Sequence, residues 1–203
     1  MEAGQGVRCD HGPWVASAID RRQAQGIEGI MYVLLTAHPE ALWPPVHGIS
    51  VEIGRRGDRL WLQYSLSGEL DRVRWPEPSP PVRTDGLWKH TCLEAFVRVG
   101  STYYEFNLST SGQWASYRFD GYRQGMVPAD QEVTLVDLDG RSDYRDIGAL
   151  IDLPAGADLL AISAVIEDID GGISYWAVNH PPGKPDFHHP DSFALVVPPP
   201  EPA

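Results

Sequence analysis

Cysteine, positive charge and long apolar runs are all scarce in this chain. Only two cysteines, Cys9 and Cys92, occur among 203 residues, and the first sits in a peripheral-looking segment. A disulfide framework is therefore not expected, and a reducing cytoplasm is the expected compartment. Lysine and arginine total 16 against 28 aspartates and glutamates, a formal net charge of −12. That balance argues against nucleic acid or an anionic membrane surface as partner, since neither attracts an acidic protein. No segment approaches the roughly 18 consecutive apolar residues of a membrane-spanning helix. The first thirty residues also lack the basic start, apolar middle and small-residue cleavage site of a secretory signal. Catalytic signatures are missing as well: there is no Gly-x-Ser-x-Gly elbow, no phosphate loop and no Cys/His arrangement with a family context.

What is present reads as one globular domain, 42% hydrophobic and 10% aromatic. Residues 1–30, rich in Gly, Gln and Arg around Gly4, Gly6, Arg21 and Gln25, read as a loosely ordered extension, with a short helix near Trp14–Gln25 as an option. The apolar run Met31–Leu35 reads as a first strand. Gly48–Arg55 and Arg59–Ser67 flank Arg56-Gly57-Asp58 and predict a hairpin, in which Leu60, Leu62, Tyr64 and Leu66 alternate with Trp61, Gln63 and Ser65. Further strands are expected over Glu132–Leu138, Ile147–Leu153, Leu159–Glu167, Ile173–Val178 and Phe193–Val197, with a proline-rich tail over residues 199–203. Many short strands, regular turn signals and no solenoid repeat predict an all-β fold, a two-sheet antiparallel β-sandwich over residues 31–198.

The run from Leu87 to Met126 carries the functional signal. Period-2 alternation predicts strands over Cys92–Val99, Thr102–Ser109 and Trp114–Phe119, joined by tight turns at Gly100-Ser101 and Thr110-Ser111-Gly112. On the first strand Leu93, Ala95 and Val97 oppose Glu94, Phe96 and Arg98; on the second Tyr104, Phe106 and Leu108 oppose Tyr103, Glu105 and Asn107. On the third, Ala115, Tyr117 and Phe119 oppose Trp114, Ser116 and Arg118. If the registers agree, Glu94, Asn107 and Arg118 share one face and reach one small ligand. Carboxylate, amide and guanidinium groups suit the hydroxyl rim of a sugar, and an indole wall from Trp88 or Trp114 suits its ring face. The competing reading is the solvated face of an ordinary antiparallel sheet.

Leu87-Trp88, Cys92-Leu93-Glu94-Ala95-Phe96, Tyr104-Glu105-Phe106-Asn107 and Ser111-Gly112-Gln113-Trp114 with Tyr117, followed by Ser174-Tyr175-Trp176-Ala177 through His188, resemble the DOMON-like group. Its functional relatives are the type 9 carbohydrate-binding modules. The resemblance spans roughly Met31 to Pro198 and implies a jelly-roll sandwich that binds carbohydrate without catalysis. It carries over Trp88 and Glu94, six positions apart, as a site pair, Arg118 as the arginine of a following strand, and Trp176 as the nearest candidate for a second clamp tryptophan. Core packing is the competing role for Trp176. Other DOMON domains hold haem between methionine and histidine or lysine, for which Met126 with His180, His188 or His189 is the alternative here.

Two constellations remain. Asn179–Asp191 holds His180, His188, His189, Asp186 and Asp191, but its prolines and lack of a recognised ligand spacing favour a stiff structural loop over a metal site, with His180 or Lys184 at the mouth of a pocket. Glu94 and Glu105 form a possible carboxylate pair for glycoside hydrolysis, yet neighbouring strands of one sheet serve equally as a hydrogen-bonding surface. The expected protein is a non-catalytic module without cofactor or metal that binds a small polar ligand, most simply a carbohydrate, through Trp88, Glu94, Asn107, Trp114, Arg118, Trp176 and His180. Haem binding, a glycan-active enzyme and a pure protein-interaction module stand as alternatives.

Overall fold

A computed structural model describes residues 30–200, apart from the side chains of residues 137–139. The expected extension over residues 1–29, its optional helix and residues 201–203 of the tail lie outside the described residues. Among the described residues twelve strands are formed: β1 (Met31–Ala37), β2 (Val46–Arg56), β3 (Arg59–Gly68), β4 (Cys92–Val99), β5 (Thr102–Leu108), β6 (Trp114–Phe119), β7 (Val127–Pro128), β8 (Val133–Gly140), β9 (Tyr144–Asp152), β10 (Leu159–Glu167), β11 (Ile173–Ala177) and β12 (Leu195–Val196). The bounds follow the expected strands closely, and the two-residue β7 is the addition. Its Pro128 lacks an N–H and is tolerated because the strand ends the sheet.

All pairings between strands are antiparallel, and they build two layers. One runs β1-β2-β3-β9-β8 and the other β7-β6-β5-β4-β10-β11, with β12 also on β10. Strand β1 belongs to both, since Met31–Leu35 pairs with β2 while Thr36 and Ala37 pair with β11. The alternation seen in the sequence explains the layers. Leu60, Leu62, Tyr64 and Leu66 of β3 point inward and meet Leu93, Ala95 and Val97 of β4, Phe106 and Leu108 of β5, and Ile162, Ala164 and Ile166 of β10 in one core. The fold is the expected antiparallel β-sandwich.

Besides β1, a buried side-chain bond ties the layers together. The buried Tyr64 hydroxyl, on β3, donates to the Glu94 carbonyl oxygen on β4 at 2.8 Å. Burial, reinforced by the nearby Glu94 carboxyl, pushes the Tyr64 phenol well above its ordinary pKa, so it stays a donor.

The outer face of the second layer is not solvated. Phe96, Tyr103, Tyr117 and Phe119 form a second apolar cluster there, covered by Phe187 and Phe193 from the segment after β11. Tyr103 and Phe119 stack with centroids 4.7 Å apart. Strand β4 is thus buried on both faces, which rules out the plain solvated-sheet reading. Tyr64→Phe is expected to cost about 1 kcal/mol, the net value of a buried neutral hydrogen bond, measured as a lower urea midpoint with unchanged m-value.

Candidate functional site

The floor of the site follows from register. Glu94 on β4 lies directly opposite Asn107 on β5, and Glu105 is two residues along β5 on the same face. Leu93, Ala95 and Val97 must enter the core, so Glu94 and Phe96 have to face outward. The Asn107 side-chain amide donates to Glu105 Oε1 at 2.7 Å, and Ser163 on β10 donates to Glu94 Oε2 at 3.4 Å. Both carboxyls are nearly closed off, with Glu94 3% and Glu105 5% exposed.

Above this floor lies a cleft of about 560 Å³. Trp88, Phe119, Tyr175 and Phe187 supply aromatic walls, and Arg123, Met126 and Lys184 contribute from the loops. Trp88 is set by a 3-10 turn, Leu87–Lys89, entered through Gly86 at φ 78°, a left-handed conformation that suits glycine. Its indole meets Tyr117 edge to face at 5.7 Å, and the Tyr117 hydroxyl donates to Asp85 at 2.5 Å just before the turn.

Two loops are latched together over the cleft. Asp186 accepts from the Tyr122 hydroxyl at 2.5 Å, from the Arg123 guanidinium at 2.8 Å and from the His188 amide at 3.1 Å. Tyr103 accepts from the Arg123 amide at 3.1 Å, and its hydroxyl lies 2.9 Å from His188 Nδ1. Burial alone would raise the Asp186 carboxyl, but the hydrogen bonds from Tyr122 and Arg123 outweigh it and hold the group below its ordinary range.

Electrostatics of the floor are dominated by dehydration. Burial, and then the charge of Glu105, push the Glu94 carboxyl well above its ordinary range against the Ser163 hydrogen bond. Burial raises Glu105 to about 7, opposed by the Asn107 hydrogen bond and the charge of Arg123. Burial and the Arg123 charge lower His188 to about 4, so its imidazole is neutral at pH 7.

Of the residues expected at the site, Trp88 and Glu94 line the cleft, and Asn107 is fully buried on the same face, holding Glu105. Trp114 and Arg118 do not join them. Trp114 pairs with Leu108 and Arg118 with Tyr104, which puts both on the opposite side of the sheet, the side that carries the core. There Arg83 lies 4.5 Å from the Trp114 ring and Arg118 pairs with Asp120 at 2.8 Å. The expected Glu94–Asn107–Arg118 face is therefore corrected: Ala115, Tyr117 and Phe119 are the residues of β6 that share it. Period 2 assigned two alternating sets correctly, and only the five-residue connection between β5 and β6 decided which set faced where.

Trp176 is likewise corrected. It is 4% exposed within the inter-sheet core, its indole N–H donating to Ser174 Oγ at 3.1 Å, and its neighbour Tyr175 faces the cleft instead. His180 does not line the cleft. Its Nε2–H donates to the Thr36 carbonyl at 2.8 Å, and its ring packs on His38 and Phe187. The same loop does bring Lys184 to the cleft, as expected of its position.

Glu105, legible in the sequence as a strand neighbour of Asn107 and as half of a carboxylate pair, shares the floor with Glu94. Tyr175 was legible as the residue alternating with Trp176. Arg123, Phe187 and His188 carried no local signal, because loops without periodicity deliver them. The haem alternative finds Met126 and His188 in one cleft, but His188 has Nδ1 engaged with Tyr103 and Nε2 directed at Glu105 3.7 Å away, beside two buried carboxyls. Among the described residues no group of three His, Cys, Asp or Glu is placed to hold a metal ion.

Two of the shifted groups, Glu105 and His188, have opposite pH signatures. Glu105, raised from 4.5 to about 7 on folding, contributes stability that is full below about pH 4.5 and lost as pH rises through about 7. His188, lowered from 6.5 to about 4, contributes stability present above about pH 6.5 and lost as pH falls through about 4. Glu105→Gln removes only the first. Between about pH 5 and about pH 8 its stability relative to the parent is expected to rise by on the order of 2 kcal/mol, read from urea unfolding at the two pH values.

No family model matches the chain, and no curated protein matches it. A solved structure of a candidate carbohydrate-binding protein from Bacteroides uniformis ATCC 8492 is similar over 87% of this chain and 88% of its own, with 18% sequence identity and a TM-score of 0.59. At that identity the likeness is one of fold.

Proposed function

We propose that this protein is a non-catalytic binding module for a sugar or sugar derivative, held in the cleft over Glu94 and Glu105. The observation that carries the reading is the pairing of buried carboxyls with an indole wall. Carboxylates accept hydrogen bonds from the hydroxyls on the rim of a sugar ring, while Trp88 and Tyr175 offer flat surfaces to its C–H faces. The likeness in fold to a candidate carbohydrate-binding protein supports it, as does the resemblance of the Trp88 and Glu94 spacing to the type 9 carbohydrate-binding modules.

Hydrolysis is disfavoured by geometry. Glu94 and Glu105 project from adjacent strands of one sheet and meet a ligand from the same side. Glycosidases need their two carboxyls flanking the scissile bond from opposite sides.

In a thermal-shift and calorimetric screen of mono- and oligosaccharides, at least one sugar is expected to raise the melting temperature. Trp88→Ala and Glu94→Gln are each expected to weaken that sugar about tenfold or more, the loss of one good contact of ~1.4 kcal/mol or above. Arg118→Ala, on the other side of the sheet, is expected to bind as the parent does. A screen in which no sugar stabilises the protein would overturn the reading.

A further inference from the structure

The floor of the cleft holds two nearly enclosed carboxyls and no cation of its own. Glu94 has the Ser163 hydroxyl as its side-chain partner, and Glu105 has the Asn107 amide. The nearest basic group to Glu105 is His188, with Nε2 3.7 Å away. Arg123, the guanidinium lining the cleft, is bound to Asp186 at 2.8 Å and serves the loop latch. Lys184 lies on the exposed loop that forms the outer part of the cleft. Two dehydrated carboxylates on diagonal positions repel each other, so such a pair either keeps a proton or is neutralised by a cation. Among the described residues neither carboxyl has an arginine or lysine in ion-pair contact, Arg123 acting on Glu105 only from the latch, and both acids face a cleft large enough for a small ligand.

We propose that the ligand itself supplies the cation, as a protonated primary amine seated between Glu94 and Glu105; within the sugar reading, on which this rests, the ligand class is an amino sugar with a free amine. An ammonium brings three N–H donors and one positive charge, so a single group serves both carboxylates and removes their repulsion. Two sugar hydroxyls would satisfy the acceptors but bring no charge to offset ionisation of the pair. The walls agree with an organic cation. Trp88, Phe119, Tyr175 and Phe187 surround the floor with aromatic rings, whose faces attract an ammonium group. A metal ion is a poor fit, since hard cations require six or more oxygen ligands and the site offers two carboxyls among rings.

The test compares ligands on the unmodified protein, so it does not depend on a variant folding. Glucosamine, galactosamine and mannosamine are titrated calorimetrically at neutral pH beside their parent hexoses and their N-acetyl forms. At least one hexosamine is expected to bind about tenfold or more tighter than both its parent and its acetylated form, a difference of ~1.4 kcal/mol or above. Glu94→Gln and Glu105→Gln, checked for folding by circular dichroism, are each expected to shrink that preference. Equal or tighter binding of the neutral hexoses, or indifference to acetylation, would overturn the amine while leaving the sugar reading intact. Cyclohexylamine separates the two in the other direction: if it binds as tightly as every hexosamine, the amine stands and the sugar reading fails. If no compound of the series binds, the amine proposal fails, and the sugar reading is decided by the wider oligosaccharide screen.

Discussion

Everything at the site depends on the strict alternation of strands that must fill a core. Strand β4 gives Leu93, Ala95 and Val97 to the inter-sheet core, and a backbone with a period of two then has no choice but to turn Glu94 and Phe96 outward. Strand β5 repeats the bargain, with Phe106 and Leu108 inside and Tyr103, Glu105 and Asn107 outside. The Tyr64 bond to the Glu94 carbonyl pins this register from the opposite layer, so the position of the site is fixed by packing beneath it.

A second layer of structure then changes the chemistry of that outer face. In open solvent, Glu94 and Glu105 would be unremarkable surface carboxylates. The loop carrying Asp186, Phe187 and His188, fastened to the loop of Tyr122 and Arg123, encloses them. Dehydration raises both acids and depresses the imidazole, so the same cover that shapes the cleft also sets its protonation state. The enclosed acids oppose folding near neutral pH, and a bound partner that satisfies them offsets that cost. Destabilised polar groups held in place by a rigid surround are what a binding site requires.

The contrast between Trp88 and Trp176 shows where local pattern suffices and where it does not. Trp88 follows a turn marked by Gly86 and precedes a well-patterned strand, so both its loop position and its spacing to Glu94 were legible. Trp176 sits in β11, where Tyr175 and Trp176 are both aromatic and either could have been the inward residue. Only pairing of Ala164 with Trp176 and of Val165 with Tyr175 settles it, because Ala164 belongs to the inter-sheet core and Val165 to the outer cluster. The same holds for β6, where pairing with Leu108 commits Trp114 to the core side and takes Arg118 with it.

The sequence by itself therefore determined the all-β architecture, nearly every strand and the internal two-fold division of β3, β4 and β5, because these rest on alternation and turn residues within a few positions of one another. It also singled out Trp88 and Glu94. Tertiary structure alone decided which alternating half of β6 and β11 faces the cleft, since that depends on pairing with distant strands. It alone brought Arg123, Phe187 and His188 over Glu105, across more than eighty residues in the case of His188 and Tyr103. Loops that carry no period can be placed only by the partners they close upon.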